Sequence, residues 1–211
     1  RVRVRVLLAL LEDVMYESLF DELRTKQQLG YSVGCSIRDS YGVPGFSIYI
    51  LSAVQMPPIL VERAMQFLQD FGQQMRQWQT DKFESHIVAL AGRWLEPKRT
   101  LGEAHGACWS EISFGFPIFD RSEREVAILG SLKQEELLQL FELHLAPGGS
   151  GRACIVTAVV PSADELQLPA LCESISNFGL AVSTVQCEGE FHSRSHFYRR
   201  RDGSQFTEAG P

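Results

Sequence analysis

The chain has 211 residues, 45% hydrophobic and 22% charged, a balance that supplies a globular core for one large domain or two small ones. Its net charge of -6 and pI near 5.4 argue against a general nucleic-acid binder and imply a soluble, anionic surface. No apolar run approaches the roughly 18 residues of a membrane span, so no membrane partner is expected.

The opening lacks a signal peptide's order of charge, apolar core and cleavage site, and it lacks a starting Met, as expected of a fragment. Arg1 to Val6 alternates arginine and valine. It reads equally as a short charged-faced strand or as the first turns of the following helix. Leu8, Leu11, Met15, Leu19 and Leu23 recur at steps of three and four, with Leu7, Leu10 and Val14 widening the stripe. That spacing predicts a buried helix. Gly30 is the expected helix stop, since it accepts a left-handed backbone without steric cost. Tyr31, Val33, Cys35 and Ile37 then alternate with Ser32, Gly34 and Ser36, the period of a half-buried strand. Arg38 to Gly42 has turn chemistry. Phe46, Ile48 and Ile50, alternating with Ser47 and Tyr49, give a second strand, and the two are expected as an antiparallel hairpin.

Pro57-Pro58 suits a helix start, and Val61, Ala64, Leu68, Phe71, Met75 and Trp78 follow at helical spacing. A third helix is expected from Thr80, with Phe83, Ile87, Ala91 and Trp94 on one face. Thr100 and Glu103 form a capping-box pattern, and the helix they open continues through Trp109, Ile112 and Phe116. Asp120 is expected to cap a short helix ending near Leu129. Ser131 to Gln134 is a second box, opening a helix with Leu137, Phe141 and Leu145. Pro147 to Gly151 reads as a flexible loop. Cys154 to Val160 is apolar on both faces, the pattern of a central strand covered by helices. Residues 166–175 are read as helical and 182–185 as a strand. The order suggests an α+β sandwich: a mostly antiparallel mixed sheet covered by helices.

Most chemistry-bearing residues have a structural reading. Trp78, Trp94 and Trp109 read as core, and Cys35 as a buried thiol. Cys35, Cys108, Cys154, Cys172 and Cys187 form no CxxC pair. An odd, scattered set suits reduced thiols and a cytoplasmic-type compartment, with a mitochondrial or other organellar location as the alternative. His192, His196 and Cys187 make weak zinc ligands without a third well-spaced donor. Arg199 to Arg201 read as a solvated end, and Gly148 to Gly151 lacks the Lys of a phosphate loop.

The junction Leu23-Arg24-Thr25-Lys26-Gln27-Gln28-Leu29-Gly30-Tyr31 goes further. It resembles a signature in the C-terminal half of the pitrilysin-type zinc peptidases, the family of insulin-degrading enzyme and nardilysin. Gly45-Phe46, Phe119-Asp120-Arg121, Glu125 and Leu129 continue the resemblance, which covers about residues 6–160. It implies the last of four homologous domains folded as two halves around a closed chamber, here lacking its first strand or strands. On that basis residues 1–160 are the C-terminal peptidase domain, continuing to about 187. Residues 188–211 form a basic, partly disordered tail.

The family's His-x-x-Glu-His zinc motif is absent: His86, His105, His144, His192 and His196 never form it. The resemblance therefore implies a non-catalytic domain that carries no metal and is inactive alone. Zinc belongs to the N-terminal domains of the parent metalloendopeptidase, where it lowers the pKa of bound water. Carried over by position, the family's substrate-facing Arg and Tyr fall on Arg24 and Tyr31. Arg24 would hold the substrate backbone, and Tyr31 would face the zinc-bound water's target and stabilise the oxyanion. Lys26 and Gln28 are weaker substrate-binding candidates. The implied partners are the catalytic domains of the same protein and peptide substrates, with a dimer of the whole enzyme possible. A processing-peptidase-like scaffold and a stand-alone peptide-binding module are the alternatives.

Overall fold

The computed structural model describes residues 2–40, 43–113, 117–160 and 167–179. It decides the first ambiguity: α1 (Val2–Leu19) is one helix from its start, with Arg3 and Arg5 lying off its buried stripe. Arg3 makes a two-pronged pair with Glu136 at 2.7 and 2.8 Å. Val6, Leu10, Leu11, Met15 and Leu19 are wholly buried, on the face that the three-and-four spacing marks. α1 is the hub of the molecule. It packs on the first strand, β1 (Ser32–Ser40), and on α3 (Thr80–Trp94), α5 (Arg121–Leu129) and α6 (Gln134–His144).

The strand β2 (Val43–Leu51) pairs antiparallel with β1, from Ser32 opposite Leu51 to Ser40 opposite Val43. Val33 and Cys35 are buried against the helices, and Phe46, Ile48 and Ile50 pack beside them from β2. The other face sets Tyr49 opposite Gly34. There the tyrosine ring leaves no room for a side chain, because a Cβ on Gly34 would stand 2.5 Å from its hydroxyl. The α+β expectation holds at the level of helices with an antiparallel sheet. The sheet among the described residues is this single hairpin, so the fold is α-rich with a small antiparallel sheet.

The described helices fall where spacing placed them, and Phe116, expected on the helix opened by Thr100, lies outside the described residues. α2 (Pro57–Arg76) starts on its two prolines and buries Met65, Phe67, Leu68, Phe71 and Met75. Phe71 lies at the centre of an aromatic cluster, with ring centroids 5.6 Å from Phe67, 5.8 Å from Phe141 and 6.1 Å from Trp78. α4 (Leu101–Ser113) and α7 (Leu168–Ser176) complete the set, with α7 packed against α2.

Caps are where the local signals diverge. Thr100 accepts the Glu103 N–H at 3.2 Å, while the Glu103 carboxylate accepts the Arg99 N–H, one residue earlier than a regular capping box. Asp120 sits before α5 but makes no side-chain cap, its carboxylate being held by Arg124 at 2.7 Å. The second box does not form, since α6 starts after Lys133. Gln134 instead donates to the carbonyls of Met75 and Trp78, at and just beyond the C-terminal end of α2. In the last two cases a nearby charge or helix end outcompeted the local amide.

Two burial expectations are corrected. Cys154 to Val160 forms no strand, and Ile155 and Val159 are exposed. A run of β-branched residues records strand propensity, but a central place needs paired neighbours on both edges, and among the described residues the β1–β2 hairpin supplies none there. Trp109 is 58% exposed and stacks on His105 with centroids 6.2 Å apart, and α4 buries no residue at all. Helical period identifies a face without specifying what covers it. The expectations for residues 182–185, the tail, Cys187, His192, His196 and Arg199 to Arg201 lie outside the described residues.

Candidate functional site

The end of the first helix is built in an unusual way. After Leu19 the helix widens into a π segment (Phe20–Lys26). The Gln27 N–H then reaches back five residues to the Glu22 carbonyl, and the Leu29 N–H six residues to the Leu23 carbonyl, each at 3.0 Å. The closure resembles a Schellman end stretched by one residue, with the left-handed position supplied by Gln28 at φ 52°. This corrects the expected role of Gly30, which does not have positive φ. Gly30 serves close approach instead. A Cβ there would lie 2.3 Å from the Leu51 carbonyl oxygen, while the neighbouring Tyr31 N–H donates to that same oxygen at 3.0 Å. Buried Leu23 and Leu29 anchor the elbow on either side.

Widened helical turns recur at functional sites because they re-aim side chains. Arg24 leaves this one over the ring of Phe20, with its guanidinium carbon 5.3 Å from the centroid, and Phe20 in turn stacks on Tyr16. A cation on an aromatic face is held in position without being neutralised. It also lies at the C-terminal end of the helix, where positive charge is favoured. The adjacent carboxylates are already engaged. Lys26 pairs with Asp21 at 3.0 Å and with Glu22 at 3.2 Å, and Gln27 donates to Glu22 at 2.9 Å. The Gln27 amide and then Lys26 hold the Glu22 carboxyl below its ordinary value. Asp21 and Glu22 in return raise the Lys26 ammonium. Arg24 has no carboxylate partner among the described residues.

Tyr31 is the second group. Its alternation with Val33 and Cys35 predicted the inner face, yet it is 62% exposed, because the ladder begins at Ser32 and Tyr31 lies just outside it. Arg24, Gln28, Gly30 and Tyr31 border one open depression of about 300 Å³, together with Ala53 and Val54. Lys26 is not among its walls. The position of Ala53 and Val54 was legible in principle: Ser32 opposite Leu51 brings the residues after β2 beside Tyr31. A larger depression of about 510 Å³ lies at Gln74, Gln77, Trp78, Gln79, Asp81 and Lys82. The Lys82 ammonium lies over the Trp78 ring at 4.7 Å there. The smaller depression is the one that sets a cation without a carboxylate partner among the described residues beside an exposed phenol.

No group of three or more His, Cys, Asp or Glu side chains capable of holding a metal occurs among the described residues. No described helix is long and apolar enough to cross a membrane. Cys35 is remote from nucleophilic chemistry. Burial, with the Glu12 carboxylate nearby, pushes its thiol up to about 12, and it faces the Glu12 carbonyl at 3.9 Å.

Residues 10–109 match the family model described as PQQ synthase PqqF-like, C-terminal lobe domain 4. Insulin-degrading enzyme of Drosophila melanogaster is 32% identical over 74% of this chain, and nardilysin of Rattus norvegicus 32% identical over 70%. The crystal structure of pitrilysin superposes with a TM-score of 0.57 and 26% identity, over 63% of this chain and 14% of that one. The chain spans only 16% of the fly protein's length and 13% of the rat protein's.

Proposed function

The chain carries a domain of the kind found in the C-terminal lobe of insulinase-type peptidases, and on that premise we propose that it is the non-catalytic C-terminal domain of a zinc metalloendopeptidase. Its work there is to close the substrate chamber and position the scissile peptide. The observation that carries this reading is the shared depression: a guanidinium with no carboxylate partner among the described residues and an exposed phenol, borne on one elbow, border the same open space. Residues 1–160 are taken as the body of the domain, continuing to about 187.

A peptide carbonyl under attack gains negative charge on oxygen. The Tyr31 hydroxyl donates a hydrogen bond to that oxygen, and a pre-aimed donor stabilises the charged state more than the neutral one. Arg24 donates to a neighbouring substrate carbonyl through the planar fork of its guanidinium. Gln28, on the same rim, has an amide that can both donate to and accept from the peptide backbone. Lys26 stands outside, held by Asp21 and Glu22. In this reading the metal and the activated water it supplies belong to another domain of the parent enzyme. Activity then requires the domains to close on one another. The five cysteines without a CxxC pair fit a reducing, cytosol-like compartment.

The test is kinetic and uses the full-length protein with a fluorogenic peptide. Tyr31→Phe is expected to lower kcat by roughly 10²–10³, the usual cost of one oxyanion donor. Arg24→Ala is expected to act mainly on KM. Wild-type turnover in both variants overturns the assignment.

A further inference from the structure

We propose that Ala53 and Val54 form a subsite for an apolar side chain of the bound peptide, beside the bond that Arg24 and Tyr31 address. The inference rests on the proposed role of Arg24 and Tyr31, and it adds the side-chain class that the site selects. The depression is lined by two unlike sets of residues. Arg24, Gln28 and Tyr31 bring a cation, an amide and a phenol suited to backbone carbonyls, and Ala53 and Val54 bring apolar side chains. An extended peptide residue has the same two-sidedness, with a polar backbone on one side and a side chain on the other.

Val54 is 75% exposed. A single exposed valine is ordinary, but this one is held in place. The Ser52 hydroxyl accepts the N–H of Val54 at 3.2 Å and that of Gln55 at 2.9 Å, closing a compact turn between β2 and α2. The turn is fixed at its other end by the helix start at Pro57. Ser52 is thus a positioning residue, and the apolar part of the lining is preformed. A volume of about 300 Å³ is at the small end of ligand pockets, which run from about 300 to 1,000 Å³, and suits one or two residues of an extended chain. Arg24, in the same lining, disfavours a lysine or arginine in that space.

The experiment measures kcat/KM of the full-length enzyme on fluorogenic peptides that differ at one position flanking the scissile bond, with leucine, serine or lysine there. The wild type is expected to prefer leucine. Val54→Asp, a change at an exposed position, is expected to lower the leucine-to-lysine ratio by roughly tenfold or more, as one apolar contact in a pocket commands. Val54→Thr, nearly isosteric, is expected to lower the leucine-to-serine ratio by a smaller factor without altering the far-ultraviolet circular dichroism. Ser52→Ala should blur the preference, and Ser52→Thr should restore it. Ratios that stay within twofold of wild type at every flanking position, while Tyr31→Phe still cuts turnover on all peptides, overturn the subsite alone. Wild-type turnover in Tyr31→Phe and Arg24→Ala overturns the site and the subsite together.

Discussion

Gly30→Ala is the sharpest perturbation the elbow offers. A Cβ at this position would stand 2.3 Å from the carbonyl oxygen of Leu51, and the carbonyl carbon lies at 2.9 Å. Ordinary contact begins at 3.4 Å, so elbow and strand end must part by about 1 Å. The atoms involved are backbone, which cannot swing aside as a flexible side chain would. The displacement also strains the adjacent bond from the Tyr31 N–H to the Leu51 oxygen. Overpacking of this kind costs about 1–3 kcal/mol, and a weakened backbone bond adds about 1 kcal/mol, so the expected loss is about 2–4 kcal/mol. Gly92→Ala is the matched control. Gly92 is interior to α3 with nothing within 4 Å of its would-be Cβ, so alanine there should stabilise by about 0.5–1 kcal/mol. Urea titration of the two variants beside wild type gives the comparison. Peptide turnover should fall only in Gly30→Ala, because that change moves Tyr31 and Arg24. A Gly30→Ala protein as stable as wild type would show that the elbow does not abut β2.

The remaining predictions concern the tie between α4 and α5 and the buried thiol. Arg121 donates twice to Glu111 at 2.5 Å, and the Ile118 N–H adds a bond at 3.3 Å. Arg121 chiefly, against the opposing effect of burial, holds the Glu111 carboxyl below its ordinary value. The folded state therefore binds this proton less readily than the unfolded chain. The stabilisation is whole above the ordinary carboxylate range and is lost as pH falls through the lowered folded value. Glu111→Gln should cost about 2 kcal/mol at pH 7, bonds to charged groups contributing about 1.5–3 kcal/mol. Urea midpoints measured from pH 7 down to pH 3 should converge for the two proteins, and a constant gap refutes the assignment. Cys35, with its thiol pushed up to about 12, should resist iodoacetamide at pH 8 until the protein is denatured, whereas exposed Cys108 and Cys154 alkylate in the native state. Peptide mapping by mass spectrometry decides this, and native labelling of Cys35 counts against its burial.

Much of the fold was legible because it rests on periodicity. The leucines of α1, the prolines and aromatic stripe of α2, and the alternation in β1 and β2 each state which face is apolar, and burial against α1 follows. Legibility failed where a residue had to choose between partners. Gln134 could cap its own helix or the end of α2, and Asp120 could take a backbone amide or Arg124. Neighbours distant in sequence or a turn along the helix prevailed, and local spacing carries no record of that competition.

The candidate site divides along the same line. Residue order alone determined that a cation and a phenol seven positions apart flank a helix-to-strand junction, and the junction's wording determined which family it resembles. Only the tertiary structure decided that the helix widens before it ends, that Gln28 rather than Gly30 takes the left-handed turn, and that Tyr31 falls outside the ladder and faces solvent. Only it brought Ala53 and Val54, beyond the end of β2, into the lining of the same depression. The reason is physical. Side-chain period is a property of one segment, whereas a depression is made by two backbones meeting, and how close they come is set by packing between them.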